Sequence, residues 1–162
     1  MTTDKRREER GSVLMLVPAA VLVLFILGAI AVDFSIAFLA QRELTSAAAA
    51  AANDAAGAGL SEDAFYGGGE PGRIVLDPAQ AEALATAAFD AREIRGVHDT
   101  ATTVKVAGDR VCVTITGRVD YIFAKAIPSG PRGATVRGRA VATAVQGDGS
   151  STGVPAGDVC GN

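Results

Sequence analysis

Several residue types that usually carry chemistry are scarce in this chain of 162 residues. It has no tryptophan, one histidine, two cysteines and only 5% aromatic residues. One histidine, His98, and two isolated cysteines, Cys112 and Cys160, offer no ligand spacing for a metal, and no cofactor is expected. No serine stands in a G-x-S-x-G elbow and no Cys–His family signature is present, so a hydrolase working through His98 has no nucleophile to activate. His98-Asp99 therefore reads as a surface loop, and no catalytic residue is expected. The run Gly67-Gly68-Gly69 lacks the Lys-Ser/Thr ending of a phosphate loop and reads as flexible spacer. Net charge is only −3, which argues against nucleic acid as the main partner. Arg132, Arg137 and Arg139 are explained by a solvated strand face or by edge protection.

Charge is missing from one place in particular. Between Gly11 and Val32 there is no Asp, Glu, Lys or Arg, and mean hydropathy over the chain is positive. That excludes an ordinary cytosolic globular protein. The run Ser12–Val32 measures roughly 31 Å as a helix at about 1.5 Å per residue, which matches a hydrocarbon core about 30 Å thick. Pro18 falls early in this run and Gly28 is tolerated because lipid leaves the backbone no better partner than itself. Lys5, Arg6, Arg7 and Arg10 precede the run and Asp33 follows it, so the positive-inside rule keeps the N-terminus cytoplasmic and sends the remainder outward. A cleaved secretory signal has an apolar region of about 7–15 residues ending at small side chains, and this run is too long. An uncleaved or merely trimmed anchor is expected.

Proline and glycine are also absent between Gly28 and Gly57. Nothing stops the helix at Asp33, and six consecutive alanines, Ala47–Ala52, have the highest helix propensity of any residue. Residues 12 to about 56 read as one helix, with Gly57 and Gly59 as the stop. An alanine-coated stalk buries little area alone, and its small side chains let another backbone approach closely, so a helix-packing partner is expected along Asp33, Leu44, Ala47, Ala48, Ala51, Ala52 and Ala55. A second helix starts at Asp77-Pro78, with Asp77 as cap and Pro78 at the first helical position. Leu84, Ala85, Ala88 and Phe89 form its apolar stripe, and Gly96 is its expected stop.

Period-two alternation follows in 102–107 and 110–118 around the turn Gly108-Asp109, then a short apolar segment 121–127, then a third strand over 134–145. The fold expected is α+β: a long N-terminal transmembrane and stalk helix, one further helix and a three-stranded antiparallel sheet. The divisions are a charged leader 1–11, the membrane helix 12–32, the stalk 33–56, an extracytoplasmic domain 57–146 and a Gly/Ser-rich flexible tail 147–162. Cys112 and Cys160 both lie outside the membrane, where a disulfide can persist, and are read as either one bridge tying the tail to the hairpin or two independent thiols.

The order of these features is specific. Arg10-Gly11 leads into an apolar helix, Asp33 closes it, and Arg42-Glu43-Leu44-Thr45-Ser46-Ala47-Ala48 and Ala52-Asn53-Asp54-Ala55-Ala56 continue it. Over residues 10–57 this resembles the TadE/TadG-like proteins of tight-adherence (Flp-type) pilus assembly systems, and the rest is similar more loosely, as a small pilin-like domain. The resemblance implies a bitopic membrane protein that helps build a surface pilus, is not an enzyme, and has other pilus-assembly proteins or pseudopilins as partners besides the membrane. It also implies a leader cut between Gly11 and Ser12. Where such pilins carry Glu at the fifth mature position this chain has Leu16, which favours a role as membrane-resident assembly factor. No small-molecule substrate is expected on this reading. A rival reading is a membrane-tethered ligand-binding or sensor domain unrelated to pili.

Overall fold

The computed structural model describes residues 5–59, 75–92, 94–145 and 159–161, with side chains from Met15 onward. The first element, α1, is a single helix over Lys5–Ala58, about 81 Å long at 1.5 Å per residue. It begins seven residues before the apolar run. Lys, Arg and Glu are good helix formers, and extending an existing helix adds a hydrogen bond for each residue ordered. Pro18 consequently lies well inside the helix, not near its start as the apolar run alone suggests. It removes the bond that an amide there would donate to the carbonyl four residues earlier, that of Leu14. Ser35 and Thr45 point back along the helix, donating from Oγ to the carbonyl of Ala31 at 2.7 Å and from Oγ1 to that of Gln41 at 2.8 Å.

The second helix, α2, covers Pro78–Asp90. Asp77 caps it as expected: Oδ1 accepts from the amides of Ala79 at 2.8 Å and Gln80 at 3.3 Å. Its buried stripe is Ala81, Ala85 and Phe89, one turn apart, with Leu84 and Ala88 half-buried beside it. The helix stops at Asp90, six residues before Gly96, because the amides of Ala91 and Arg92 turn back onto Ala87 and Phe89. Gly96 instead serves the turn into the sheet.

Three strands, β1 (Val97–Ala107), β2 (Arg110–Asp120) and β3 (Gly133–Thr143), form an antiparallel meander in the order β1-β2-β3. Ala107 pairs with Arg110 across the two-residue turn Gly108-Asp109, and Gly108 has φ +63°. A positive φ at the first central residue is the type II′ requirement, which glycine meets without a Cβ clash. β1 starts five residues earlier than alternation indicated. His98 pairs with Arg118 and Ala101 with Thr116, so Asp99 and Thr100 oppose Gly117 alone. That is a β-bulge, and it breaks the period that marks a strand in sequence. His98 therefore lies in a strand, not in a loop. β2 runs two residues longer than expected, and β3 is shifted from 134–145 to 133–143.

The upper half of α1 and all of α2 form one layer and the sheet forms the other. α1 lies on β3 and β2, and α2 packs on α1 and β1. The core joins Leu44 and the alanines of α1 to Val111, Val113, Ile115 and Val119 of β2 and to Val136 and Ala142 of β3. The stretch 33–56, expected as a stalk outside the domain, is thus the central element of the domain. The loop after Gly59 and the tail before Val159 lie outside the described residues.

Candidate functional site

The buried residues of α1 recur at 33, 40, 44, 47–48, 51–52 and 55–56, a seam of three- and four-residue steps along one face. All seven residues expected to pack lie on this seam and are buried. Leu44 and the five alanines are covered by this chain's own sheet and second helix, and Asp33 by the β2–β3 connection, so the packing expected of this face is made within the chain. Closest approach is at Gly138 of β3, where a Cβ would run into the Leu44 main chain. Alanine on one side and glycine on the other let helix and sheet backbones meet, an arrangement larger side chains would prop open.

Asp33 ends the seam, one residue beyond the apolar run, and holds a site that no local sequence pattern marks. The segment Tyr121–Arg132 connects β2 to β3, closed at its base by the Tyr121 amide donating to the Arg132 carbonyl at 3.0 Å. At its tip Ala124–Ala126 form a 3₁₀ turn. The three amides leading into that turn converge on one carboxylate: Ile122 and Phe123 donate to Asp33 Oδ1 at 2.8 and 3.1 Å, and Ala124 donates to Oδ2 at 2.7 Å. The side chain thus serves as a cap delivered from another element, satisfying amides that the short turn leaves open. Burial pushes the Asp33 carboxyl up, but hydrogen bonds from Phe123, Ala124 and Ile122 and the nearby Lys125 ammonium outweigh it, and the group stays below its ordinary value. Asp33 is accordingly an ionised latch fixing the β2–β3 connection to the point where α1 leaves its apolar half.

Below the latch the connection and the helix enclose an apolar cleft of about 680 Å³, with Leu24, Gly28 and Val32 on one wall and Phe123 and Ile127 on the other. Ile122, Phe123 and Ile127 keep much of their surface open. In the sequence, the signal was an acidic residue directly after a membrane-length run together with an apolar segment near 121–127. Asking where that carboxylate finds donors would have linked them.

The remaining residues lie elsewhere. Gly11 and Ser12 are within α1, ahead of the residues whose side chains are described. Cys112 and Cys160 are bonded to each other, with Cα atoms 5.4 Å apart. The end of the tail is therefore held on the outer sheet face, where Lys105 Nζ also donates to the Cys160 carbonyl at 3.2 Å. That differs from a tail loose to its end, at least for Val159–Gly161. Imidazole Nε2 of His98 lies 3.7 Å from Asp120 Oδ1, both side chains largely solvated. Arg132, Arg137 and Arg139 are exposed. Among the described residues no three His, Cys, Asp or Glu side chains meet as a metal site would need.

α1 is long and apolar enough to cross a membrane. Comparison with protein-family models, with curated proteins and with solved structures finds no match to this chain.

Proposed function

We propose that this protein is a single-pass component of the cytoplasmic membrane, N-terminus inside and domain outside, that serves a tight-adherence-type pilus system as minor pseudopilin or assembly factor. The observation that carries the reading is one unbroken helix with two faces of work. Its lower half is bare apolar surface, and its upper half is the spine of a small α+β domain. A helix built this way transmits any packing made in the bilayer directly to the domain, because no hinge separates the two. Partner contact then belongs to the large side chains between Met15 and Val32, since the alanine seam is already covered. The role is assembly, not catalysis. Leu16 in place of an intramembrane carboxylate leaves van der Waals packing and lipid as the forces available there.

The test is removal of the protein from cells bearing such a system, with piliation and co-purification as readouts. Loss of pili, and retention of assembly components by the tagged chain, is the expected result; normal piliation with no retained component would sink the reading. Intact mass from native membranes then divides the two roles. A chain beginning at Ser12 is a processed pseudopilin, and one beginning at Met1 or Thr2 is a permanent anchor.

A further inference from the structure

The cleft beneath Asp33 has an unusual position. One wall is the helix segment from Leu24 to Val32, which belongs to the membrane-length apolar run; the other is Phe123 and Ile127 of the β2–β3 connection. Leu24 is nine residues below Asp33, so the cleft follows the helix for about 13 Å at 1.5 Å per residue. That is close to half of a hydrocarbon core about 30 Å thick. The connection is held at the end of the apolar run by Asp33, and Phe123 and Ile127 face that run across the cleft. Its apolar side chains are open, with Ile122 54% and Ile127 62% exposed. Such exposure is unfavourable in water and favourable in lipid. Among the described residues the only carboxylate on the cleft wall is Asp33, whose oxygens already hold three amides, so those residues present no free side-chain polar group to select a polar ligand. Lys125, on the same turn, is close enough to Asp33 for its charge to be felt, and its flexible stem can carry the ammonium up to the headgroup layer.

We propose that residues 122–127 form a second membrane-inserting element, dipping into the leaflet on the domain's side, and that the cleft holds an acyl chain of a phospholipid from that leaflet. The proposal rests on reading 12–32 as a membrane span. It gives Asp33 a purpose beyond capping: the latch fixes the inserted turn against the helix, so the domain is held at one tilt to the membrane and does not swing about its anchor. It also opposes extraction of the chain from the bilayer, since lipid contact on the turn must be given up along with the span.

The absence of tryptophan makes a direct test available. Full-length chains carrying Ile127→Trp, Phe25→Trp or Val145→Trp are reconstituted in phosphatidylcholine vesicles with and without acyl-brominated phosphatidylcholine. Circular dichroism melts matching the parent confirm that each variant is folded. Phe25 reports on the span and Val145, exposed two residues beyond the end of β3, reports on the aqueous side. The expected result is blue-shifted emission from Ile127→Trp that bromolipid quenches as strongly as Phe25→Trp, while Val145→Trp is unaffected. Quenching at position 25 without quenching at 127 overturns the insertion and leaves the span intact. Quenching at neither position overturns the span and the insertion with it. Blue-shifted emission at 127 that ignores bromolipid and grows with protein density means that a second protein surface covers the turn, which also overturns the proposal.

Discussion

Residues 15–32 and 33–56 are consecutive stretches of one helix and both are dominated by apolar side chains, yet they meet different surroundings. Phe25 is 74% exposed and Leu24 68%, while Leu44 and Ala48 are fully buried. The difference follows side-chain size. Large residues all round the lower half suit a liquid solvent of hydrocarbon, which adapts to any shape. Alanine along one face of the upper half suits a solid partner, the sheet, which must come close to make contact at all. The boundary between the two is a single carboxylate, and it is bonded to the connection that runs alongside the lower half. Apolarity alone does not separate the exposed stretch of this helix from the buried one; the size of the apolar residues and the face they occupy do.

The sharpest way to break this comparison is to put volume at the closest approach. Gly138→Val places a branched side chain against the Leu44 main chain, where no flexible atom can step aside. Loss of the cooperative thermal transition in detergent is expected, whereas Gly28→Val in the lower half, where an added Cβ meets nothing, leaves that transition in place. Next in size is Leu44→Ala, which empties the largest buried side chain of α1 and should lower stability by about 2–5 kcal/mol in chemical denaturation. Leu24→Ala is its control and should leave the domain transition unmoved.

Reducing the Cys112–Cys160 bridge, or replacing both residues with Ala, should lower stability by about 2–4 kcal/mol, because the bridge closes a long loop, with a sequence separation of 48, in the unfolded chain. A midpoint insensitive to reductant would show that the tail adds no constraint. The smallest effect on global stability is expected from Asp33→Asn, and it should be local: faster hydrogen exchange at the amides of Ile122, Phe123 and Ala124 than elsewhere in the connection. Because the folded-state pKa of Asp33 lies below the ordinary value of 3.8, its contribution is complete above that value and is lost as pH falls through the folded-state value. Wild-type exchange at those amides should accelerate in that acid window. An Asp33→Asn chain that shows the same acid dependence would assign the effect to another group.

Much of the fold could be read from the chain because local signals agreed with one another. The helix through the alanine run, the Asp77-Pro78 start and the Gly108-Asp109 hairpin each rest on neighbouring residues whose preferences do not need the rest of the molecule. The misplacements have physical causes of the opposite kind. The bulge at Asp99 and Thr100 hides the first residues of β1 because a strand is recognised by its period, and the bulge removes it. The end of α2 follows from where Ala91 and Arg92 turn back, not from the nearest glycine. The alanine seam was legible as a packing face, but a seam does not name its partner.

Sequence by itself determined that one end of this protein is a helix of membrane length and that the remainder is a small α+β unit, since periodicity and propensity act over a few residues at a time. Tertiary structure alone decided what covers the alanines and what Asp33 binds. The Asp33 contacts are made some 90 residues away along the chain, where the pairing is set by how sheet, helix and connection close in space and by no pattern local to either side.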